Sequence, residues 1–348
     1  MNTQHNSHPL PLGYTARMAT IEDHKLVFDL LNIHSQHLNG HVDLLDPEIL
    51  RIDWLNEGFD PQRDVYLVFA SDGTLVAFEE CWTSQIPPVH PWIMGCVHPM
   101  HWNRGIGSHI VTWALNHARR ALDLCPPELR VAPRSGAEAH NQAGMALFES
   151  LGWTHIRSYY RMVTELDEQP VVPDLPAGIT IRPFNPETEM EAIYLTFVDT
   201  FKDHYGFIPQ PFEKGFAEFK HNFIEDPLYD PQYWFVAMDG DQMVGMCICR
   251  IEDVEDAESG WVNELGVRRE WRKHGLGYAM LKQAFAAFYA AGKKRAGLGV
   301  DASSLTGALR LYERAGMRAA RQFNQYETEF RPGRELAVTT VADEKIEA

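Results

Sequence analysis

The stretch that decides the fold is residues 267–281, VRREWRKHGLGYAML, which ends an apolar strand pattern and runs directly into a helix pattern. A related phrase, VHPMHWNRGIGSHIV, occupies residues 97–111, at an offset of 170 positions and with both glycines in register. In the later copy, three basic residues and two glycines stand where the helix must begin: Arg272, Lys273, His274, Gly275 and Gly277. The chain therefore carries the same strand, loop and helix pattern twice.

The repeat extends well beyond these loops. Each half opens on a short strand and an amphipathic helix pattern, at residues 14–31 and 179–197. Each continues with two apolar runs joined by Asp-Gly, at residues 66–82 and 234–250. Asp-Gly between such runs predicts a hairpin, because glycine adopts the positive φ of the turn at little cost.

A stretch rich in proline and acid separates the two copies, which is typical of a linker. A length of 348 residues also fits two cores better than one. We therefore predict two α/β domains, 1–167 and 179–335, with a linker at 168–178 and a frayed polar tail at 336–348.

Composition and charge narrow the possible partners. There are 48 acidic and 31 basic side chains, and the net charge of −17 argues against nucleic acid, which is bound through Lys and Arg. No apolar run approaches the ~20 residues of a membrane span, and the N-terminus lacks a secretory signal pattern. The five cysteines form no Cys-x-x-Cys pair and the histidines no HExxH motif. We expect a cytoplasmic protein with no metal and with neither a nucleic acid nor a membrane partner.

The basic glycine loop predicts an anion site. The start of a helix presents unpaired N–H groups and the positive end of the helix dipole, and glycines let a ligand approach the backbone. No Lys-Ser/Thr follows the second glycine, as a P-loop requires, and the three glycines of a dinucleotide fingerprint are absent. A plain tight turn is the alternative, since such turns also need glycine. The duplication of the whole pattern favours a phosphate or pyrophosphate site.

The pattern Arg272-x-x-Gly275-x-Gly277, placed after a strand ending Leu265-Gly-Val267, resembles the acetyl-CoA loop of the GNAT (Gcn5-related N-acetyltransferase) superfamily. A second landmark of that family is similar to residues 298–317, LGVDASSLTGALRLYERAGM, and again to 141–153, NQAGMALFESLGW. The resemblance covers nearly the whole chain as a tandem, as in two-domain acetyltransferases of the mycothiol synthase type. It implies two domains of α+β class, each a mixed, mainly antiparallel sheet flanked by helices.

The resemblance also implies acetyl-CoA as the co-substrate. Pantetheine would lie along the strand near Leu265 and Val267 as an extra strand, and the loop amides would hold the pyrophosphate. The implied coenzyme-binding residues are Leu265, Gly266, Val267, Arg272, Lys273, His274, Gly275, Leu276, Gly277, Tyr278 and Ser304. Ser304 departs from the family's asparagine, which the first half keeps as Asn141.

The two halves differ at the positions that carry chemistry. Glu264, a candidate base on the strand, matches Met94 in the first half. Tyr312, where the family has a general acid, matches Phe148. Each residue has a plainer reading, Tyr312 as core packing and Glu264 as a solvated or salt-bridged side chain. The differences predict that the second half is catalytic.

The first half would then be non-catalytic, and would either bind a second CoA or only brace its partner. Trp102, which stands where the second half has Arg272, counts as a further loss. The resemblance implies acetyl transfer to the primary amine of a small molecule. We expect this transfer to be direct, because no cysteine is placed beside a histidine as a nucleophile. The alternative is a CoA-sensing or partner-binding protein with decayed catalysis.

The acceptor site is less defined in the sequence. Residues 199–216 and 34–45, with their aromatic and acidic side chains, are candidate walls for an amine. Packing between the two halves is an equally good interpretation of these segments.

Overall fold

The computed structural model describes residues 8–42, 44–304 and 307–339. The chain forms two compact units. Unit 1 comprises the described residues up to Ile156 together with Asn324–Leu336, and unit 2 comprises Arg157–Phe323 together with the described residues from Ala337 onward. None of the helices in the described ranges is both long and apolar enough to cross a membrane.

Unit 1 alternates strands and helices around one sheet. Its elements in chain order are β1 (Tyr14–Met18), α1 (His24–Asn39), α2 (Pro47–Asp53), α3 (Pro61–Asp64), β2 (Val65–Ala70), β3 (Leu75–Trp82), β4 (Trp92–Val97), α4 (Ile106–Ala118), α5 (Ala121–Leu124), β5 (Arg134–Glu138), α6 (Gln142–Ser150) and the start of β6 (Thr154–Glu165). Neighbouring strands from β1 to β4 are antiparallel, and β4 meets β5 in parallel.

Unit 2 repeats this order. Its elements are β7 (Ile179–Pro183), α7 (Met190–Phe201), α8 (Phe212–Phe223), β8 (Phe235–Asp239), β9 (Gln242–Arg250), β10 (Ser259–Val267), α9 (Leu276–Ala290), β11 (Arg295–Asp301), α10 (Ala308–Arg314) and most of β12 (Arg318–Glu327). Strands β7 to β10 are antiparallel neighbours, and β10 pairs with β11 in parallel. The predicted mixed, mainly antiparallel sheet is confirmed in both units.

The predicted hairpins form because glycine adopts the backbone conformation of their turns with little strain. Gly73 between β2 and β3 and Gly240 between β8 and β9 both have positive φ, at 86° and 56°. The strands that follow are buried on both faces, so β9 is apolar almost throughout. Alternate residues of β9 enter two cores, with Cys247 on the side of α9 and Met246 on the side of α7 and α8. Helices therefore cover both faces of the sheet.

Each unit includes a strand segment from the other half of the sequence. The part of β6 in unit 2 pairs antiparallel with β11 over seven residues, from Tyr159 opposite Asp301 to Glu165 opposite Arg295. In unit 1, Val131 forms a bridge with Arg331, and the Arg130 guanidinium contacts the Glu327 carboxylate. The predicted boundaries keep each half intact, whereas the structure exchanges these C-terminal segments.

The described part of the predicted tail is held in place. Val338 donates its N–H to the Phe207 carbonyl at 3.0 Å and accepts from the Gly206 N–H at 2.8 Å. The expectation of a frayed segment is therefore wrong for residues 336–338. Residues 340–348 lie outside the described residues.

The five cysteines lie in the interior of the protein. All five are free and buried, and the Sγ atoms of Cys247 and Cys249 lie 3.5 Å apart on one face of β9. Both side chains face the same core, because alternate residues of a strand lie on one face of the sheet.

Candidate active site

The basic loop of unit 2 joins the end of β10 to the start of α9. After a short 3-10 turn at Arg269–Trp271, Lys273 and Gly275 adopt left-handed backbone conformations, with φ of 68° and 81°. The first helical hydrogen bond of α9 runs from Ala279 N–H to the Gly275 carbonyl, at 3.0 Å. The amides of the first turn precede it and are the groups predicted to bind an anion.

The two glycines of this loop have different physical roles. A Cβ on Gly275 would meet no atom within 4 Å, so the positive φ alone selects glycine there. A Cβ on Gly277 would lie 3.2 Å from Leu311 Cδ1, so this glycine lets α9 pack closely on α10. The pairs Gly105 and Gly107 in unit 1 repeat both features, with φ of 84° at Gly105 and a Leu147 contact of 3.0 Å at Gly107.

Arg272 braces the loop rather than reaching outward from it. Its Nε donates to the Val267 carbonyl at 2.9 Å, and its two remaining nitrogens donate to Asp203 and to the Thr200 carbonyl. In unit 1, Trp102 Nε1 donates to the Val97 carbonyl at 2.7 Å, the matching bond. The interpretation of Trp102 as a loss is therefore wrong for this brace, because both side chains supply one N–H to the end of the strand.

The strands beside both loops splay apart. In unit 2, β10 and β11 pair in parallel from Ser259 to Val262, after which β10 continues to Val267 without β11. In unit 1, β4 and β5 pair at Trp92 opposite Arg134. The separated edge of β10 contains the backbone groups of Leu265 and Val267, where the resemblance places an extended amide ligand.

Glu264 lies in this splayed part of β10. A β-bulge between Val262 and Glu264 shifts the register with β9, so Glu264 stands opposite Ile248. Burial raises the pKa of the Glu264 carboxyl to about 8. Within the described part of the chain, no side chain or backbone group hydrogen-bonds to this carboxyl, which is partly buried.

Tyr312 lies on α10 in the same core. Its side chain is buried, with 8% exposure, and it packs with Cys247 in the apolar cluster of unit 2. Burial raises the pKa of the phenol, and the nearby Cys247 and Glu264 raise it further. The structure therefore brings the two predicted catalytic side chains into one neighbourhood, with both held in their neutral forms near neutral pH.

The departure at Ser304 changes little in the local structure. The Ser304 Oγ accepts a hydrogen bond from the Ala308 N–H at 3.4 Å, at the start of α10. In unit 1, Asn141 Oδ1 accepts from the Gly144 N–H at 2.9 Å, at the start of α6. Both side chains accept a hydrogen bond from an amide at the start of the following helix, although Asn141 is itself the N-cap of α6 whereas the N-cap of α10 is Gly307.

Two acidic side chains of the candidate acceptor wall at residues 199–216 form ion pairs within unit 2. Asp199 pairs with Arg268, and Asp203 pairs with Arg269 and Arg272. These carboxylates therefore hold α7 to the loop. Tyr205 lies under the Arg157 guanidinium, 4.0 Å from its ring centre. Of the corresponding unit 1 segment, 34–45, residue 43 lies outside the described residues, while His34 forms an edge contact with Trp102.

Unit 1 contains a cavity of about 370 Å³ beside its own glycine loop. Its walls come from β3, β4, the loop, α4, β5 and α6. The residues matched to the predicted catalytic pair are Met94, which is 39% exposed, and Phe148, which is buried. A carboxyl that sequence matching missed, Glu79 on β3, also lines this cavity. The signal for it was the pair Glu79-Glu80 in an otherwise apolar strand.

In each unit, a mixed set of strands with a splayed parallel pair lies beside a glycine loop at a helix start, so the same fold is present twice. A family model described as the acetyltransferase (GNAT) family matches residues 29–153 and again 191–317. A GCN5-related N-acetyltransferase from Sphaerobacter thermophilus is 30% identical, with a TM-score of 0.78, over 94% of this chain and 99% of that one. The chain belongs to the acetyltransferase (GNAT) family, with two copies of the domain in tandem.

Further relatives match a large part of this chain. A mycothiol acetyltransferase from Saccharopolyspora erythraea is 24% identical over 278 residues, 79% of this chain and 86% of the relative. Another, from Thermobispora bispora, is 27% identical over 223 residues, 63% of this chain and 70% of the relative. A tandem GNAT protein from the clavulanic acid biosynthesis pathway has a TM-score of 0.65 at 13% identity, covering 92% of this chain and 100% of that one, which shows the fold alone.

Proposed function

We propose that the protein transfers an acetyl group from acetyl-CoA to the primary amine of a small molecule, and that unit 2 performs this reaction. The observation that carries the proposal is the pairing of Glu264 and Tyr312 beside the splayed edge of β10. A raised carboxyl pKa and a buried phenol in one neighbourhood are typical of proton transfer at an active site.

In the proposed reaction, the coenzyme amides pair with the backbone of Leu265 to Val267, and the first amides of α9 hold the diphosphate. Lys273 adds positive charge at that loop and His274 a ring N–H donor, while Leu276 and Tyr278 supply backbone at the start of α9 and Gly266 supplies backbone on β10. Ionised Glu264 takes a proton from the ammonium form of the acceptor, directly or through water. The amine nitrogen then attacks the thioester carbonyl carbon.

The tetrahedral intermediate collapses by breaking the carbon–sulfur bond. Tyr312 donates its proton to the departing sulfur, giving CoA thiol and the acetylated amine. The transfer is direct, because the two cysteines of unit 2, Cys247 and Cys249, are buried on the core-facing side of β9.

We propose further that unit 1 binds a second coenzyme molecule, since its loop has the same backbone conformation and its cavity is preformed. The free thiols favour a cytoplasmic location.

The test is release of CoA thiol from acetyl-CoA with a panel of primary amines. Because several relatives are mycothiol acetyltransferases, the acceptor amine of that reaction heads the panel. We expect turnover with at least one amine and its loss in the Glu264→Gln protein. Coenzyme binding without turnover on any amine would instead favour a CoA-sensing role.

A further inference from the structure

The cavity of unit 1 is lined by the carboxyl of Glu79, and the matching residue of unit 2 is Cys247. Glu79 lies on β3 with 3% of its surface exposed, and it lines the cavity together with Phe148. It faces the α4 side of the sheet, while its neighbour Glu80 faces α2 and accepts a hydrogen bond from Trp54 at 2.9 Å. Among the described residues, no group hydrogen-bonds to the Glu79 carboxyl.

A carboxyl without a partner in such a position is costly. Burial, together with the nearby Glu80, raises the pKa of Glu79 well above its ordinary value, which favours the neutral form that carries a proton. Burying a polar group without a hydrogen bond lowers the stability of the fold. The neighbouring buried carboxyl, Glu80, is paired with Trp54, whereas Glu79 faces a cavity, and this difference points to a ligand at Glu79.

The strand beside Glu79 has a glycine opposite this carboxyl. Gly95 stands opposite Glu79 in the β3–β4 register, and a Cβ there would lie 2.3 Å from the Phe78 carbonyl oxygen and 2.6 Å from Glu79 Oε2. In unit 2, the corresponding opposed pair is Cys247 and Leu265. A large residue on β3 and a glycine on β4 thus replace a small residue on β9 and a leucine on β10.

This exchange puts an acid where unit 1 otherwise has none. In unit 2, Cys247 lies close enough to Tyr312 to influence its ionisation. The matching residues of unit 1 are Glu79 and Phe148, which line one cavity. The carboxyl of Glu79 therefore occupies the neighbourhood in which unit 2 presents its phenol.

We propose that unit 1 is a second acyl-transfer centre in which Glu79 is the catalytic proton carrier, and that its acceptor is a weakly basic amine. The inference rests on the proposed function in one respect, namely that the coenzyme thioester binds beside the glycine loops. It adds a second reaction, in the unit that sequence matching assigned to a non-catalytic role.

The proposed step balances with Glu79 as the sole proton carrier. The lone pair of a neutral amine attacks the thioester carbonyl carbon and forms a carbon–nitrogen bond. The carbon–sulfur bond then breaks with its electron pair on sulfur, and the Glu79 carboxyl gives its proton to that sulfur. The resulting carboxylate takes the excess proton from nitrogen, so the amide, CoA thiol and neutral Glu79 remain.

The acceptor class follows from what the cavity lacks. Met94 stands where unit 2 has Glu264 and removes no proton from an ammonium group. The other titratable side chains on the cavity wall are His34, His101 and Cys96. The pKa of His34 is lowered to about 4 by burial and by His37, and that of His101 is lowered by burial and by Arg104. An amine that is already neutral at pH 7, such as an arylamine, needs no base.

The test uses the full chain with unit 2 silenced by Glu264→Gln and Tyr312→Phe. Aniline and cyclohexylamine are the probes, because they have similar size and differ in basicity. We expect this double variant to release CoA thiol with aniline and not with cyclohexylamine. Adding Glu79→Gln should lower the aniline rate about 100-fold, the usual contribution of a general acid–base group.

Two further measurements keep the result independent of folding. Calorimetry should find two molecules of CoA per chain in both the double and the triple variant. Difference infrared spectroscopy should find a protonated carboxyl band that shifts on CoA binding and that Glu79→Gln removes.

Equal aniline rates in the double and triple variants would overturn the inference, as would no aniline turnover with two CoA molecules bound. A single CoA per chain would also overturn it and would leave the proposed function of unit 2 intact. No CoA bound and no wild-type turnover would overturn both.

Discussion

Glu264 is the proposed base of unit 2, and its partly buried position sets the pH range in which it would act. The residue lies in the splayed part of β10, and burial raises its pKa to about 8. A raised pKa makes the carboxylate a stronger base and brings its basicity closer to that of an amine. Proton removal still needs the ionised form, which is populated as pH approaches and passes this pKa.

The first prediction concerns the pH dependence of the rate. The kcat/KM for the amine should rise with pH and level off above about 8, as Glu264 loses its proton. Glu264→Gln should lower kcat/KM by about 10²–10⁴-fold and remove this rise. An unaltered pH–rate profile in the variant would exclude Glu264 as the base.

The second prediction concerns stability at the same residue. A carboxyl whose folded-state pKa lies above the ordinary 4.5 stabilises the fold at low pH, and this contribution is lost as pH rises from about 4.5 to about 8. Glu264→Gln should therefore lose less stability across this window, by on the order of 1–3 kcal/mol. Urea unfolding at about pH 5 and about pH 8.5 measures it.

The matched control for that comparison is Glu313→Gln, an exposed carboxyl on α10. Its loss of stability between the two pH values should equal that of the wild type. If Glu264→Gln and Glu313→Gln behave alike, burial of Glu264 does not contribute to the pH dependence of stability.

The glycine loop is the element in which sequence and structure correspond most directly. Gly275 needs a left-handed backbone, and the space around its Cα is open. Lys273 adopts a similar conformation with a φ of 68°, and Asn103 has a φ of 59° at the matching place in unit 1. The loop therefore holds its shape twice with different side chains, because the shape is set by backbone conformation and by the brace from Arg272 or Trp102.

The third prediction isolates backbone strain in this loop. Gly275→Ala should lower the free energy of unfolding by about 1–2 kcal/mol, because an L-residue pays that cost in the left-handed region. Gly275→Asn should cost less, since asparagine tolerates this region better. Urea unfolding of the two variants measures the difference, and equal losses would mean that contact with a side chain, not φ, selects glycine.

Helices and hairpins that depend on a local pattern of residues were predictable from the sequence. The contacts that individual side chains make with other elements were not. The hairpins at Gly73 and Gly240 and the helix after Gly275 follow from residue spacing. The brace was missed because Arg272 and Trp102 are chemically unlike and share only an N–H donor. Glu79 was missed because the two halves were compared position by position. Its proposed counterpart in unit 2, Tyr312, lies on α10 and not on the matching strand, so this comparison does not connect the two residues.

At the scale of the whole molecule, each unit is completed by a segment from the other half of the sequence. The choice between pairing within or across halves leaves no trace in hydrophobic periodicity, because the same strand pattern fits either partner. In unit 1 the imported segment carries Glu327, which contacts the guanidinium groups of Arg130 and Arg134. These pairs hold the pKa of Glu327 below its ordinary value despite burial.

The fourth prediction tests this imported carboxylate. Glu327→Gln should lower the free energy of unfolding by about 2–4 kcal/mol, because it removes the carboxylate that pairs with the buried Arg134. The control is Glu329→Gln, whose carboxylate also pairs with Arg130 but whose side chain is 45% exposed. That variant should cost less than about 1 kcal/mol. Equal losses would mean that the imported segment does not depend on the Glu327 pairs.

The most direct test of the account is the kcat of Tyr312→Phe in CoA thiol release, measured with the best amine of the panel. Tyr289→Phe on α9, a partly exposed tyrosine, is the matched control. We expect kcat to fall about 100-fold in Tyr312→Phe and to stay at the wild-type value in Tyr289→Phe, because only the buried phenol beside Glu264 is proposed to protonate the leaving thiolate. An unchanged kcat in Tyr312→Phe would contradict acid catalysis in unit 2.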